Sequence, residues 1–100
     1  MDFNFVEARS NFPFCTGLSL VCEERVAVQG LVLLYRLWSR RATVTEYAVE
    51  IACASEARFA YLGCELVSAV QTFSQLVRET VTPNTLDDVL ADLAFEAAAP

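Results

Sequence analysis

Residues 26–38 form the most apolar stretch of the chain, and only Gln29, Gly30 and Arg36 interrupt it. A helix that is apolar on nearly all sides lies inside a core or against a partner. Two glutamates precede the stretch and two arginines follow it, which places each charge at the helix end that its dipole favours. The pattern therefore predicts a buried helix over about 20–40.

The same stretch permits a second interpretation, because Gly30 lies near its middle. Apolar runs on both sides of Gln29-Gly30 also fit a β-hairpin, which would give an α+β fold with a hairpin at 20–38. Gln-Gly is a poorer type I′ turn than Asn-Gly or Asp-Gly. We therefore prefer the helix and keep the hairpin as the alternative.

A longer periodic segment follows over 43–81. Thr43 and Glu46 have the spacing of a capping box, and beyond them apolar positions recur every 3.5 to 3.6 residues, roughly as on one helix face. No proline interrupts the segment, so it predicts a second helix, either one rod or two helices with a break near Ser55. Residues 43–53 also alternate well enough for a strand, but the capping box favours the helix.

The end of the chain predicts a third helix. Thr82-Pro83-Asn84 ends the long segment, since the residue before proline avoids helical angles. Thr85, Asp87 and Asp88 then supply an acidic helix start. We expect a short helix over about 85–96 and a frayed tail at 97–100.

These elements predict a single all-α domain over 1–100: an antiparallel helical hairpin plus the short C-terminal helix. Residues 1–18, with four phenylalanines, read as an irregular aromatic arm that packs on its own bundle or on a neighbour. Hydrophobic residues make up 55% of the chain, above the roughly 45–50% of ordinary domains. We therefore expect a homodimer of the four-helix type, or an obligate protein partner.

Three groups of residues are candidates for function. The apolar face predicted to meet a partner comprises Val26, Leu31, Leu34, Tyr35, Trp38, Ile51, Phe59, Leu62, Leu66, Val70 and Phe73. An arginine stripe, which is either a solvated helix face or a surface for anions or RNA, comprises Arg25, Arg36, Arg40 and Arg41. The acidic C-terminal helix would either cap its own bundle or dock on a partner through Leu86, Val89, Leu90 and Leu93.

Composition argues against most chemistry. The chain has no histidine, so a cysteine nucleophile would lack its usual base and a zinc site its usual ligands. We predict no enzyme, metal or cofactor. The four cysteines form no Cys-x-x-Cys pair, which favours free thiols in an intracellular protein, cytoplasmic or nuclear. The N-terminus does not resemble a signal peptide, and the run 26–38 is shorter than the roughly 20 residues of a membrane span.

The sequence thus predicts a small, acidic, lysine-free interaction protein: a dimeric adaptor, a scaffold or a small chaperone, and in one interpretation a viral accessory protein. A helical-hairpin RNA binder is the alternative, although the net charge of −6 disfavours nucleic acid. Association with a membrane surface through the aromatic arm and residues 26–38 is a further alternative.

Overall fold

The chain folds as an α+β domain, so the predicted all-α fold is wrong. The computed structural model describes residues 17–98, and the side chains of 17–94. Strands β1 (Leu18–Val28), β2 (Leu31–Arg41), β3 (Thr45–Ala52) and β4 (Ala57–Gly63) form one antiparallel sheet in the order β1-β2-β3-β4. Helices α1 (Leu66–Arg78) and α2 (Leu86–Ala98) follow it, joined by a 3₁₀ turn at Pro83–Thr85.

The predicted helix over 20–40 is a β-hairpin, as in the α+β alternative. Its turn consists of Gln29 and Gly30, with φ of 51° and 80°, and Val28 lies opposite Leu31. A two-residue type I′ turn requires positive φ at both central positions, which Gly30 supplies without strain. The apolar run that resembled a helix is mostly β2, whose residues Leu33, Leu34, Tyr35, Leu37 and Trp38 are all buried. A strand buried on both faces loses its alternation.

The first half of the predicted helix over 43–81 is also wrong. Thr45 and Glu46 begin β3 rather than a helix, and every residue of β3 from Tyr47 to Ala52 is buried. A turn in which the Cys53 N–H donates to the Glu56 carbonyl leads into β4. The alternation at 43–53 was therefore the better signal than the capping box.

The second half of that segment is helical. In α1, Ala69, Phe73 and Leu76 are buried on one side, as their spacing of three to four residues predicts. After Pro83, α2 begins at Leu86, one residue later than predicted, and continues to Ala98, into the tail that was expected to fray. Asp87 and Asp88 lie in its first turn. Thr85, expected at its start, instead belongs to the 3₁₀ turn, where its hydroxyl accepts from the Thr82 N–H.

Both described helices pack on the same face of the sheet, and the core lies between the sheet and the helices. We call this the helix side and the opposite face the helix-free side, with reference to residues 17–98 only. The core comprises Leu33, Tyr35, Leu37, Tyr47, Val49, Ile51, Cys53, Ala69, Phe73, Leu76, Val81 and Leu86. Because the two long helices do not exist, the predicted four-helix arrangement is wrong as well. The predicted aromatic arm lies outside the described residues, except for Gly17 and Leu18.

The hydroxyl of Tyr35 ties the sheet to the segment after α1. It is fully buried and donates to the Val81 carbonyl across 2.9 Å. Burial raises the pKa of Tyr35 to about 12, because a phenolate would lose its hydration there. The chain therefore turns from α1 toward α2 at a point fixed to the middle of β2.

Candidate interaction surface

Strand β1 forms one edge of the sheet. Among the described strands it pairs with β2 alone, and it runs for 11 residues. Leu20 and Val21 are 49% and 41% exposed. An edge strand presents a row of backbone N–H and C=O groups to which another strand can bind, so β1 is the longest such surface in the described part of the chain.

Two features limit indiscriminate pairing along β1. The register with β2 shifts between Leu20 and Cys22, and such a bulge bends a strand and interrupts its ladder. Glu23, Glu24 and Arg25 follow it, all exposed. Charges on an edge disfavour nonspecific aggregation, so the regular stretch of β1 can accept only a strand with compatible charges.

A groove separates β1 from α1 on the helix side. Helix α1 packs over β2, β3 and β4. One side of α1 therefore lies next to the edge strand β1. The groove holds a cavity of about 260 Å³. Its lining residues are Cys22, Glu24, Val70, Phe73, Ser74, Val77 and Arg78. The lining is therefore mostly apolar, and it includes one acidic and one basic residue.

Cys22 contributes a thiol rather than a thiolate to this groove. Burial, and then the negative charge of Glu24, raise the pKa of the Cys22 thiol. A protonated thiol is a poor nucleophile and packs as a small apolar group. Cys22 is therefore part of the apolar surface of the groove.

A second cavity of about 440 Å³ lies where β4, α1 and α2 meet. It is lined by Tyr61, Leu62, Gly63, Ser68, Thr72, Leu90, Leu93 and Ala94. The Tyr61 hydroxyl lies 3.4 Å from the Cys64 sulfur at its margin. This hydrogen bond is the main cause that raises the pKa of Tyr61.

The predicted arginine stripe is partly assembled and largely paired with carboxylates. Cross-strand register places Arg25, Arg36 and Arg40 on the helix-free side, whereas Arg41 follows on the other face, since side chains alternate along a strand. The Nε of Arg36 donates to Glu23 across 2.7 Å. Arg40 lies 3.2 Å from Glu46.

Glu50 completes this network at the centre of the sheet. Although only 4% exposed, it accepts a hydrogen bond of 2.9 Å from the indole N–H of Trp38 and lies 3.6 Å from an Arg36 nitrogen. The Arg36 guanidinium also lies 6.0 Å from the centre of the Trp38 ring. A buried carboxylate is tolerated when its charge and lone pairs are satisfied, so Trp38 and Arg36 offset the cost of burying Glu50. Sequence reasoning missed Glu50, whose only signal was that it would share a strand face with Glu46, four residues before it.

The structure does not bring the predicted apolar face together as one surface. Val26, Tyr35, Ile51, Leu62 and Phe73 lie on the helix side, in or against the core. Leu34, Trp38 and Phe59 point to the helix-free side, as their cross-strand partners indicate. The exposed members are Leu66 and Val70, 50% and 37% exposed on α1, and Leu31, 40% exposed after the hairpin turn.

The C-terminal helix packs on its own domain along the predicted docking face. Leu86 is fully buried, Val89 and Leu90 pack against the core, and Leu93 lines the second cavity. Arg58 of β4 also pairs with Asp87 across 3.1 Å. The self-capping interpretation of this helix fits these contacts.

Cys53 is the described thiol whose pKa falls. Burial alone raises the pKa of the Cys53 thiol, but hydrogen bonds from the Ser55 side chain and from the backbone of Ser55 and Glu56 lower it overall. The residue is 4% exposed, so a substrate cannot reach the sulfur without local opening. Cys22, Cys53 and Cys64 are all free thiols. Cys53 directly follows β3, and Cys64 directly follows β4.

Within residues 17–98, no three acidic or cysteine side chains are grouped as metal ligands would be. In the same part of the chain, neither helix has the length and apolar character needed to cross a membrane. Comparison with protein-family models, with curated proteins and with solved structures finds no match to this chain.

Proposed function

We propose that the chain is a non-enzymatic protein-protein interaction module that binds an extended strand of a partner along β1. The observation that carries this proposal is the exposed 11-residue edge strand beside an apolar groove. Addition of a strand to a sheet edge is a recurring mode of peptide recognition, in which backbone hydrogen bonds give affinity and side-chain pockets give specificity.

The groove supplies the specificity. Alternate residues of an added strand point to the same face of the sheet, so every second side chain of the partner would project toward α1. There it meets Val70 and Val77 on the helix and Cys22 on β1. The proposed partner segment is therefore extended, with apolar residues at alternate positions.

The distribution of charge favours a protein partner over RNA. Arg36 and Arg40 each lie within ion-pair distance of glutamates, which offset their charges. The net charge of −6 opposes the phosphate backbone, whose attraction dominates RNA affinity. The absence of histidine from the sequence supports the non-enzymatic part of the proposal.

A synthetic strand tests the proposal directly. The probe is an acetylated peptide of about nine residues in which valine and threonine alternate, titrated into isotope-labelled protein and followed by NMR. We expect shifts in the backbone amides of β1 and in the methyl groups of Val70 and Val77, and slower hydrogen exchange along β1. A peptide with alternate N-methylated amides cannot complete the ladder and should not bind. At protein concentrations at which the chain is a monomer, shifts confined to other surfaces, or none, would refute the proposal.

Two valines of α1 give a matched pair of variants. Val70 lines the groove and is 37% exposed, whereas Val67 lies outside it and is 66% exposed. Val70→Asp should weaken peptide binding by at least roughly tenfold, because a charge replaces an apolar wall. Val67→Asp should leave the dissociation constant unchanged, and equal losses in both variants would contradict a role for the groove.

A further inference from the structure

We infer that the strand added to β1 is β1 of a second copy of this chain, in an antiparallel pair about a two-fold axis at Glu24. This inference rests on the proposed function and names its partner. The two sheets would join into one sheet of eight strands. A symmetric pair of this kind uses the same surface on both copies, as most homodimers do.

The charges of β1 fix the register. With the axis at Glu24, Glu23 of one copy lies directly opposite Arg25 of the other, and the reverse pair forms at the same time. Glu23 and Arg25 both point to the helix-free side, because their partners on β2 are Arg36 and Leu34. Residues opposite each other in an antiparallel pair share a face, so the two opposite charges meet twice in each dimer.

Registers with the axis at Glu23 or at Arg25 do not bring Glu23 opposite Arg25. Opposite residues in an antiparallel pair must point to the same face of the sheet, so the two-fold axis has to pass through a residue and not between two residues. An axis at Glu23 would place two Glu23 side chains opposite each other, and an axis at Arg25 would do the same with two arginines. All three axes place one pair of like charges directly opposite each other, which destabilises a sheet. Only the axis at Glu24 adds two pairs of opposite charge, Glu23 with Arg25 in each direction, so it is the favoured one.

The helix side is compatible with this register. Cys22 of one copy lies opposite Val26 of the other, and both residues are partly buried and pack against the core of their own domain. The two Glu24 side chains meet at the axis, where they would repel each other. Arg78 of each copy lines the same groove as Glu24 and supplies the compensating positive charges.

The bulge sets the length of the pair. The ladder of β1 is regular from Cys22 onward and shifts between Leu20 and Cys22. In the proposed register the five residues from Cys22 to Val26 of one copy pair with the same five residues of the other copy, in the opposite order. The exposed Leu20 and Val21 then flank the new pair, where the second copy covers part of their apolar surface.

Charge reversal tests the register by mixing two variants. Arg25→Glu places negative charges opposite each other in its homodimer, and Glu23→Arg places positive charges opposite each other. Each variant alone should be a monomer, with self-association weakened by at least roughly tenfold, whereas the wild type is a dimer. An equimolar mixture should form a heterodimer. Light scattering gives the masses, and native mass spectrometry with one variant isotope-labelled gives the composition.

A cross-link provides a second test that does not depend on Glu23, which also pairs with Arg36. Val26→Cys places a new thiol opposite Cys22 of the other copy. In a background with Cys15 and Cys64 changed to serine, oxidation should give a covalent dimer with that linkage in a peptide map. The same background with Val28→Cys is the control, because position 28 does not face Cys22, and it should remain uncross-linked.

The outcomes separate the inference from the function on which it rests. A folded wild-type monomer that still binds the probe peptide along β1 overturns the second copy as partner and leaves the proposed function standing. A dimer that is insensitive to both charge reversals and forms no cross-link overturns this interface. A monomer that does not bind the peptide overturns both proposals.

Discussion

Trp38 and Glu50, on adjacent strands β2 and β3, are joined by a hydrogen bond of 2.9 Å from the indole N–H to the carboxylate. Register places Arg36, rather than Trp38, directly opposite Glu50. The carboxylate is therefore held by its direct neighbour and by a diagonal one, both from β2. This arrangement satisfies a charge that is only 4% exposed, and it locks the register of the two central strands.

Removal of the indole donor should therefore destabilise the domain. Trp38→Phe keeps an aromatic ring but removes the N–H, and hydrogen bonds to charged groups contribute about 1.5–3 kcal/mol. We expect a loss of that size in the free energy of unfolding, measured in urea by circular dichroism. Glu50→Ala removes the acceptor, and the variant made alone and together with Trp38→Phe completes a double-mutant cycle. Additive losses would show that Trp38 and Glu50 do not interact.

The hairpin turn between β1 and β2 should respond to two substitutions in opposite directions. Gln29 has φ of 51°, and Asn adopts this left-handed conformation more readily than Gln. Gln29→Asn should raise the free energy of unfolding by up to about 1 kcal/mol, given that the left-handed conformation costs an ordinary residue roughly 1–2 kcal/mol. The measurement is chemical denaturation with both variants compared in one series.

Gly30→Ala is the reverse case at the next position. Gly30 has φ of 80°, and an added Cβ would meet no atom within 4 Å. The expected loss of about 1–2 kcal/mol is therefore backbone strain alone. No loss in Gly30→Ala would contradict the turn geometry, whereas an unfolded variant would indicate a steric clash that the structure does not contain.

The buried phenol of Tyr35 should make the protein sensitive to alkali. Its pKa is raised to about 12, above the ordinary value near 10, so the folded state holds this proton more tightly than the unfolded state. The resulting stability is fully present below pH 10 and is lost as the pH rises from about 10 to about 12, by ~1.4 kcal/mol per pH unit. Urea titrations across this range measure the slope.

Tyr35→Phe is the control for that measurement. It removes the donor to the Val81 carbonyl, so it should lower stability at neutral pH by about 1–3 kcal/mol. Its loss of stability between pH 10 and 12 should be shallower than that of the wild type. Identical slopes in the two proteins would assign the alkaline effect to another group.

Two residues of α1 should differ sharply in their effect on stability. Phe73 is 3% exposed and packs in the core, whereas Val67 is 66% exposed on the same helix. Phe73→Ala should cost about 3–5 kcal/mol. Val67→Ala should stay within about 0.5 kcal/mol. Thermal and urea unfolding of both variants measures the contrast, and comparable losses would contradict the orientation of α1.

The helices were the more predictable part of the fold, because each has one buried and one exposed side. In α1, Phe73 and Leu76 repeat at helical spacing against polar neighbours, and that two-sided pattern identified a helix there. The helix predicted over 85–96 corresponds to α2, Leu86–Ala98. Their boundaries were less certain, since the start of α1 at Leu66 carries no capping signal.

Strand β2 was mispredicted because it is buried on both faces, whereas β3 was mispredicted despite its alternation. An apolar run without alternation fits a central strand and a buried helix equally well. At residues 26–38, only Gln29-Gly30 distinguished a strand from a buried helix. A Gln-Gly pair does not by itself predict positive φ at both residues. At Thr43 and Glu46, the residues of a capping box also suit a strand entry, so a local signal outweighed the correct alternation.

Most of the candidate site could not be predicted from the sequence. The pairing of Arg36 with Glu23 and Glu50 depends on strand register, which only the folded sheet defines. Tyr35 and Val81 are 46 residues apart in the chain. The groove likewise forms only in the folded domain, where α1 packs over β2, β3 and β4 and Val70 and Val77 line a cavity together with Cys22 of β1.

The order of the strands also bears on how the chain is made. Among the described strands, each one pairs only with its neighbours in the sequence, so every new strand closes a short loop as it joins the last one. Short loops carry a small entropic penalty, and such local topologies fold quickly. The ribosome delivers β1 before the other described strands and all four strands before the two helices, so the sheet can grow in the direction of synthesis and the helices can cover its core afterwards.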